Sequence, residues 1–365
     1  MIFSFEALNA EYGDCLLLHF GKPEKPRLVV IDGGPKGVFH NSLLPRLLDL
    51  RQERGLSDEE VFKTDLLMVS HIDDDHICGV LDWFVTIALD PDKWQIAECW
   101  FNSFPDVVGR ARKIKTAALD GGGNRLLYPN PSDEARSIVA SVNQGRQLRD
   151  HLDTTGIRVN GGKDILFAPD SVPVFSKDGM KLTLLAPNQK AVERLEKKWE
   201  DAPVKTAALD NAVENLSSLV VMAECKGRSI LLTGDARGDY IIQGLEDSGY
   251  LKDGKCKVNI LKLPHHGSSR NCTEDLFKTV EASHYVISAN GKYDNPDSDT
   301  LCLLAKVRGE SGNFTVHMTN APDTDDDSAD GKKLYQNVEQ AIQKYPWLND
   351  KLAFGSAEKP IRIDL

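Results

Sequence analysis

Short apolar runs typical of β-strands alternate with helical patterns along much of the chain, and several of the runs end in residues that can bind metal ions. Interleaved strands and helices predict an α/β architecture, because each helix can pack back onto the sheet that its neighbouring strands form. The runs that we interpret as strands are 2–6, 15–20, 28–31, 66–69, 96–101, 182–185, 218–223, 229–232, 258–263, 285–288 and 314–317. Helical patterns cover 43–48, 80–88, 134–152, 274–281, 298–307 and 334–344.

The chain has 365 residues, of which 41% are hydrophobic and 27% are charged, so it can bury a sizeable core and is neither disordered nor fibrous. At roughly 150 residues per domain, this length gives about two domains or one large α/β sandwich with insertions. We predict a single domain over 1–365. The strand signal weakens in the middle, which predicts an insertion around 102–180, and 321–365 is interpreted as a C-terminal extension.

Acidic residues outnumber basic ones, since 44 Lys and Arg against 55 Asp and Glu give a net charge of −11. A field of this sign repels polyanions unless bound cations or a local basic face offset it, which argues against a general nucleic-acid coat protein. One basic cluster could guide an anionic substrate or could be a solvated face; it consists of Arg110, Arg112, Lys113 and Lys115.

The seven cysteines are odd in number, scattered and without a C-x-x-C pair, which is typical of buried or inert thiols in a reducing compartment. The N-terminus lacks a basic region followed by an apolar run, and no window holds about 18 uninterrupted apolar residues. We therefore expect a cytoplasmic protein that does not associate with a membrane.

The densest group of candidate metal ligands directly follows the apolar run 66–69 and reads His71-x-Asp73-x-Asp75-His76. A chain that leaves a strand in extended form points residues i and i+2 to the same side, so His71 and Asp73 can face one ion. Asp75 and His76, at the turn into the next helix, can face a second ion. So many ionisable groups in six residues are costly without a cation. The alternative is a polar loop in which Asp75 caps the helix.

Further candidate ligands follow other strands, at the positions where α/β sheets usually build their sites. Gly234 leaves room for an ion, and the next residue, Asp235, could bridge two metals, although a Gly-Asp pair alone is more often a turn. Of His265 and His266, one could bind metal while the other lies behind it or faces substrate. Asp32 is interpreted as an orienting hydrogen-bond acceptor.

These groups stand in an order that resembles the metallo-β-lactamase superfamily. The segments that carry the resemblance are 12–14, 31–34, 70–76, 215–220, 232–235 and 263–268, which read YGD, IDGG, SHIDDDH, NLSSLV, LTGD and LPHHGS. Within the superfamily, the chain is most similar to stand-alone relatives of the soluble hydrolase domain of competence-channel (ComEC-type) proteins. The resemblance implies a four-layer αββα sandwich of two mixed sheets with a dinuclear metal site at one edge.

Three positions depart from the superfamily's pattern. The usual second histidine of the first motif is Asp73 here, a substitution that the competence-type branch shares. The third-motif histidine has one candidate between 76 and 235, His151, whose charged helical surroundings favour a surface position. A Gly-His-Pro turn of the competence branch is replaced by Asp294-Asn295-Pro296, which removes one histidine that could face substrate.

The resemblance also implies a hydrolase in which metal-activated hydroxide attacks an ester, and we expect a phosphodiester, with a nuclease as one form. The predicted metal ligands are His71, Asp73, Asp75, His76, Asp235, His265 and His266. Because three of these are carboxylates, Mn²⁺ competes with the expected Zn²⁺, and one or two ions could bind. Asp75 could orient the nucleophile, and whichever of His265 and His266 is not a ligand could protonate the leaving group.

An anionic substrate needs partners besides the metals, and four residues before a predicted helix could supply them. Hydroxyls, a guanidinium group and helix N-terminal amides could hold a phosphate at Ser268, Ser269, Arg270 and Asn271. Helix capping with a solvated arginine is the alternative.

Two other functions compete with phosphodiester hydrolysis. The acidic overall charge favours a small ester, thioester or phosphorylated metabolite over a long polyanion. The missing third-motif histidine favours a non-catalytic sensor or assembly module that keeps the sandwich and binds one structural metal.

Overall fold

The computed structural model describes residues 1–102, 133–163, 165–168, 174–189, 218–356 and 358–365, with 133–142 described by backbone alone. The strands are β1 Ile2–Ala7, β2 Leu16–Lys22, β3 Lys25–Ile31, β4 Phe62–Thr64, β5 Leu66–Met68, β6 Trp94–Ile96, β7 Glu98–Trp100, β8 Arg158–Val159, β9 Phe175–Lys177, β10 Met180–Ala186, β11 Val220–Cys225, β12 Arg228–Leu232, β13 Cys256–Lys262, β14 Val280–Ile287, β15 Thr315–Met318, β16 Leu352–Phe354 and β17 Ile361–Asp364. The α-helices are α1 Leu44–Glu53, α2 Asp74–Leu89, α3 Asp133–Thr155, α4 Gly238–Asp247, α5 Glu274–Thr279, α6 Ser298–Arg308 and α7 Ala329–Lys344.

Seven strands form the first sheet, in the order β17-β1-β2-β3-β5-β7-β8. The part from β17 to β3 is antiparallel, and it includes a pairing of Phe5 with Ile363 near the other end of the chain. The strands from β3 to β8 run parallel. Parallel neighbours need a crossover connection, and α2 provides one after β5.

The second sheet has eight strands in the order β16-β15-β14-β13-β12-β11-β10-β9. It is also mixed, antiparallel from β9 to β12 and parallel from β12 to β16. The hairpin between β11 and β12 turns at Lys226 and Gly227, whose φ values of 49° and 75° suit a two-residue turn. A separate pair of short strands, β4 and β6, lies beside the first sheet.

The two sheets bury a shared apolar core between them. Its members alternate along the strands with residues that point outward, as the two-residue period of a β-strand requires. From the first sheet it takes Phe3, Phe5, Leu18, Val29 and Leu66, and from the second Leu182, Val221, Ile230, Ile260 and Val286.

Helices cover the outer face of each sheet. Leu47 of α1, Phe84 of α2 and Leu148 of α3 pack with the outward residues of the first sheet. Helices α4 to α7 cover the second sheet, for example through Ile241 and Leu301. The fold is therefore the four-layer αββα sandwich of two mixed sheets that the resemblance implies.

The regions predicted as an insertion and as an extension have different places in this fold. Much of 102–180 lies outside the described residues, and its helix α3 packs against the first sheet's helical layer. The segment 321–365 supplies α7 and the strands β16 and β17, which lie at an edge of each sheet. Among the described residues, no helix combines the length and apolar character needed to cross a membrane.

Candidate metal centre

The ends of several strands meet at one edge of the sandwich. The backbone N–H of Asp32, after β3, donates to Met68 of β5, and that of Leu219 donates to Ser70. Gly234, after β12, has a φ of 48° and lies so close to Ser70 that an added Cβ would be 3.1 Å from the serine Cβ. A side chain at this glycine would therefore push the loops of the two sheets apart.

The loop after β5 carries the first group of predicted ligands. His71 is fully buried, and its Nε2 lies 3.3 Å from Oδ2 of Asp73. Asp73 rather than Asp75 is the N-cap residue of α2, and its side chain makes no capping hydrogen bond. Asp75 and His76 fall in the first turn of that helix, with His76 Nε2 3.9 Å from Asp75 Oδ1.

Asp235 lies at the middle of the group, and its buried carboxylate is surrounded by four imidazoles. Its Oδ2 is 3.6 Å from Nε2 of His71 and 3.6 Å from Nε2 of His265. Its Oδ1 is 3.4 Å from Nε2 of His76 and 3.7 Å from Nε2 of His266. Each oxygen therefore faces a different pair of histidines, which is the arrangement expected of a carboxylate that bridges two ions.

A short helical turn after β13 presents the last two histidines. His265 and His266 both adopt left-handed backbone conformations, with φ values of 49° and 54°. The turn directs both Nε2 atoms toward Asp235, but the two side chains differ in exposure. The side chain of His266 is 3% exposed and its Nε2 lies 3.3 Å from Asp75 Oδ2, whereas the side chain of His265 is 34% exposed.

Each of the four histidines is held through Nδ1, which leaves Nε2 to face the centre. His76 donates to Asp32 Oδ2 at 2.8 Å, and His266 donates to the Ser288 carbonyl at 2.9 Å. His71 Nδ1 lies 3.1 Å from the hydroxyl of Ser70, which in turn donates to Asp32 at 2.7 Å. His265 Nδ1 is 3.0 Å from Asn271 Oδ1. Outer partners of this kind fix the orientation of histidines that bind metals.

The donor atoms fit divalent ions. Among the described residues, four atoms of the predicted ligands are buried without a hydrogen-bond partner: Nε2 of His71, His76 and His266, and Oδ1 of Asp235. Two ligands bound at about 2.1 Å with a tetrahedral angle lie about 3.4 Å apart, close to the separations of 3.3 to 3.7 Å between these Nε2 atoms and carboxylate oxygens. Such distances are too long for good hydrogen bonds and suit an ion between the atoms.

Opposite charges stabilise one another in this group. Burial lowers the pKa of His71 and so does His76, but Asp235 and Asp73 outweigh them and raise it to about 9. Burial opposes ionisation of Asp235 too, yet the neighbouring histidines, first among them His265, hold its pKa well below the usual range. The Asp235 carboxylate thus remains ionised and available as a ligand.

A buried ion pair behind the centre includes Lys262, a residue that the sequence did not mark as part of the site. Lys262 is fully buried, and its Nζ lies 2.8 Å from Oδ2 of Asp14, whose Oδ1 is 3.7 Å from His266 Nδ1. The signal for it was a lysine between two leucines near the end of the predicted strand 258–263. The pair supports the turn that presents His266.

The four predicted phosphate contacts lie in the turn after His266. Asn271 is buried, donates to the Asp235 carbonyl at 2.8 Å and contacts His265, so it positions both residues. The backbone N–H of Ser269 donates to Asp297, Ser268 is buried and Arg270 is exposed. Thr273 caps the short helix α5 in their place. Their contact with substrate stays a prediction.

The remaining sequence candidates lie elsewhere. His151 stacks on Phe84 with ring centroids 5.7 Å apart, and it is in none of the groups of potential ligands found among the described residues. Pro296 packs against Gly267, so the 294–296 turn borders the centre. The basic cluster at 110–115 and the motif residues 215–217 lie outside the described residues.

Comparison with known proteins gives one partial match in sequence and several distant ones in structure. No family model matches the chain. ComE operon protein 3 of Bacillus subtilis (strain 168) is 32% identical over 103 residues, which are 27% of this chain; the match spans only 12% of the length of that protein.

Among solved structures, Zn²⁺-bound PqqB from Methylobacterium extorquens is 9% identical, with a TM-score of 0.41, covering 99% of this chain and 100% of the other. CmlA, a diiron β-hydroxylase from Streptomyces venezuelae, is 10% identical, with a TM-score of 0.41, covering 100% of this chain and 54% of the other. Likenesses of this size say nothing about the reaction of this chain. The chain's own two mixed sheets and the potential metal ligands at their strand ends agree with the sandwich and the site that the resemblance implies.

Proposed function

We propose that the protein is a metal-dependent hydrolase of phosphodiesters that uses two divalent ions. The observation that carries this proposal is the convergence of four anchored histidines on the two oxygens of Asp235. Zn²⁺ or Mn²⁺ bound there would supply Lewis acidity and a water of lowered pKa. The three carboxylates of the site favour hard ions and make Mn²⁺ a strong competitor of Zn²⁺.

The ligands divide into two sets that share Asp235. His71 and Asp73 face its Oδ2 side and would hold the first ion. Asp75, His76 and His266 face its Oδ1 side and would hold the second. Because Asp73 and Asp75 are the partly exposed members, at 24% and 17%, they define the side from which a substrate arrives.

His265 is the histidine best placed to act on substrate. Its partly exposed ring lies beside Asp235, and Asn271 holds its Nδ1. Since the Asn271 amide nitrogen donates to the Asp235 carbonyl, its Oδ1 is the acceptor and Nδ1 of His265 carries a proton. With its Nδ1 proton held by Asn271, the partly exposed ring keeps Nε2, beside Asp235, as the nitrogen available for proton exchange with a substrate or water at the centre.

A small phosphodiester fits this chain better than a long nucleic acid. The net charge of −11 opposes the approach of an extended polyanion, while it matters less for a single phosphate drawn into a site that holds cations. A nuclease acting on short strands is one form of this function. The seven cysteines are all free thiols, and six are buried, which supports the proposed cytoplasmic location.

Hydrolysis of bis(p-nitrophenyl) phosphate tests the function, with Zn²⁺ or Mn²⁺ added and with a chelator as control. We expect metal-dependent release of nitrophenol and a loss of at least about 100-fold in kcat for Asp75→Ala. Asp82→Ala, on the same helix but outside the ligand sets, should keep full activity. If p-nitrophenyl acetate is cleaved and the phosphodiester is not, a carboxylic ester hydrolase replaces the proposal. A non-catalytic metal-binding module would instead show two results. Neither substrate would be hydrolysed, and the protein would contain less than one metal ion per chain, a content that Asp235→Ala would not change.

A further inference from the structure

Three side chains that are not predicted metal ligands lie together beside the metal centre: Tyr12, Lys292 and Tyr293. We call this group the aromatic rim. The two tyrosine rings meet edge to face, with centroids 5.8 Å apart and planes at 88°. Lys292 Nζ lies 3.5 Å from the centroid of Tyr12 and 5.2 Å from that of Tyr293. We propose that the aromatic rim binds the nucleobase of a short nucleotide whose phosphate lies at the metal centre, an inference that rests on the proposed function.

The loops that carry the rim pack directly against the metal-binding loops. Next to Tyr12, Gly13 is so close to the start of α2 that an added Cβ would lie 1.9 Å from the carbonyl oxygen of Asp75. On the other side, Pro296 is 2.8 Å from the position of a Cβ on Gly267, in the turn that presents the histidines.

The exposed ring of Tyr293 is held in place from behind. It is 73% exposed, and its φ of 57° is unusual for a bulky residue. The amide of Asn337 in α7 donates to the carbonyls of Asp294 at 2.7 Å and Pro296 at 3.1 Å. Gly291 lies against the backbone of Asp330 with no room for a side chain. The strained turn is therefore fixed by the scaffold, which is typical of residues that serve a binding site.

A nucleobase matches the chemistry of this rim. A flat π system can stack on the free face of Tyr293, and every base offers one. The ammonium group of Lys292, over the rings of Tyr12 and Tyr293, adds a positive charge to the rim that favours a phosphate-bearing ligand over an uncharged one. The acidic segment at 323–330 ends beside Gly291, so its charges oppose a long strand and favour a substrate the size of a mononucleotide.

Binding measurements by calorimetry with Mn²⁺ present test the rim separately from catalysis. We expect adenosine 5′-monophosphate to bind about tenfold more tightly than ribose 5-phosphate, which has the same phosphate and no base. Tyr293→Ala should remove this difference, while Tyr293→Phe keeps it. Tyr345→Ala serves as the matched control, because Tyr345 lies past the other end of α7 and also has a lysine beside its ring, Lys344.

Three results would overturn the inference: equal affinities for the two phosphates, a difference that persists in Tyr293→Ala, or a decathymidylate strand binding more tightly than the mononucleotide. These outcomes are independent of the hydrolase assay. A protein that binds the base at Tyr293 but cleaves no phosphodiester refutes the proposed function alone. A protein that cleaves bis(p-nitrophenyl) phosphate but binds adenosine 5′-monophosphate no more tightly than ribose 5-phosphate refutes the proposed role of the aromatic rim alone.

Discussion

Replacing Asp32 with asparagine should weaken metal binding although Asp32 does not face the ions. Its carboxylate accepts three hydrogen bonds, from the backbone N–H of Ser70 at 2.7 Å, the Ser70 hydroxyl at 2.7 Å and His76 Nδ1 at 2.8 Å. The amide oxygen of Asp32→Asn can replace one carboxylate oxygen, but the amide NH₂ must then face donors. The ring of His76 loses the partner that points its Nε2 at Asp235 Oδ1, 3.4 Å away.

The expected loss of metal affinity is about 10- to 100-fold, the range found when outer partners of metal-binding histidines are removed. In free energy this is about 1.4 to 2.7 kcal/mol. Competition with a chromophoric chelator measures the Zn²⁺ affinity directly, and circular dichroism checks that the variant is folded. Since no turnover is needed, the result does not depend on the identity of the substrate.

Asp65→Asn is the matched control for this experiment. Asp65 is another buried carboxylate with several donors, Leu28 N–H at 3.2 Å, Arg27 at 3.0 Å and Lys177 at 2.7 Å, and it lies at the start of β5 rather than at its end. Its replacement should reduce stability and leave Zn²⁺ affinity unchanged. Wild-type affinity in Asp32→Asn, or equal losses of affinity in both variants, would refute the role assigned to Asp32.

Three further predictions follow from the same charges and distances. Asp235→Ala should reduce the metal content measured by mass spectrometry from two ions per chain to at most one, and an unchanged content would contradict a bridging carboxylate. Because nearby carboxylates, acting against burial, raise the pKa of His71 to about 9, metal ions must displace its proton at pH 7. Affinity should therefore increase as the pH approaches 9, and calorimetry in buffers of different ionisation enthalpy should show proton release. Burial, helped by His284, lowers the pKa of His317 from 6.5 to about 4, so the unfolded chain binds this proton first and stability decreases as the pH falls from 6.5 toward 4. The full difference in the pKa of His317 between the folded and unfolded chain corresponds to about 3 kcal/mol of unfolding free energy. Solvent screening of the partly exposed ring reduces this to about 1 to 2 kcal/mol. In urea titrations, His317→Gln should remove this loss of stability at low pH.

The ligand groups could be predicted from the sequence because they depend on local pattern. Residues that follow an apolar strand are carried to the sheet edge whatever the rest of the chain does, and the i, i+2 spacing of His71 and Asp73 already places them on one side. That Asp235 could bridge two metals was expected from its position, but the pairing of each of its oxygens with two histidines and the different exposure of His265 and His266 needed the structure. They depend on left-handed backbone angles and on partners such as Asn271, far from any strand pattern.

The parts of the fold that the sequence did not predict depend on long-range pairing. β17 has only four residues, and it is a strand because it pairs with β1 at the far end of the chain. The run 96–101, predicted as one strand, is divided between β6 and β7, which belong to different sheets. β14 begins at Val280, five residues before its predicted start, because parallel pairing with β13 extends through polar positions such as Glu281 and His284.

The backbone itself marks the candidate site, independently of which side chains were chosen as ligands. Ten non-glycine residues of the described chain have positive φ, and six of them surround the metal centre or its aromatic rim: Glu11, Asp32, His265, His266, Tyr293 and Asp294. The other four include Lys226 in the tight hairpin turn and asparagine or aspartate, which tolerate this conformation. Glu11 and Tyr293 belong to residue types that do not favour this conformation, so the surrounding contacts must impose it there. A strained backbone concentrated where the unpartnered nitrogen and oxygen atoms also converge is what a preorganised binding site requires, and a merely structural edge of a sandwich does not require it.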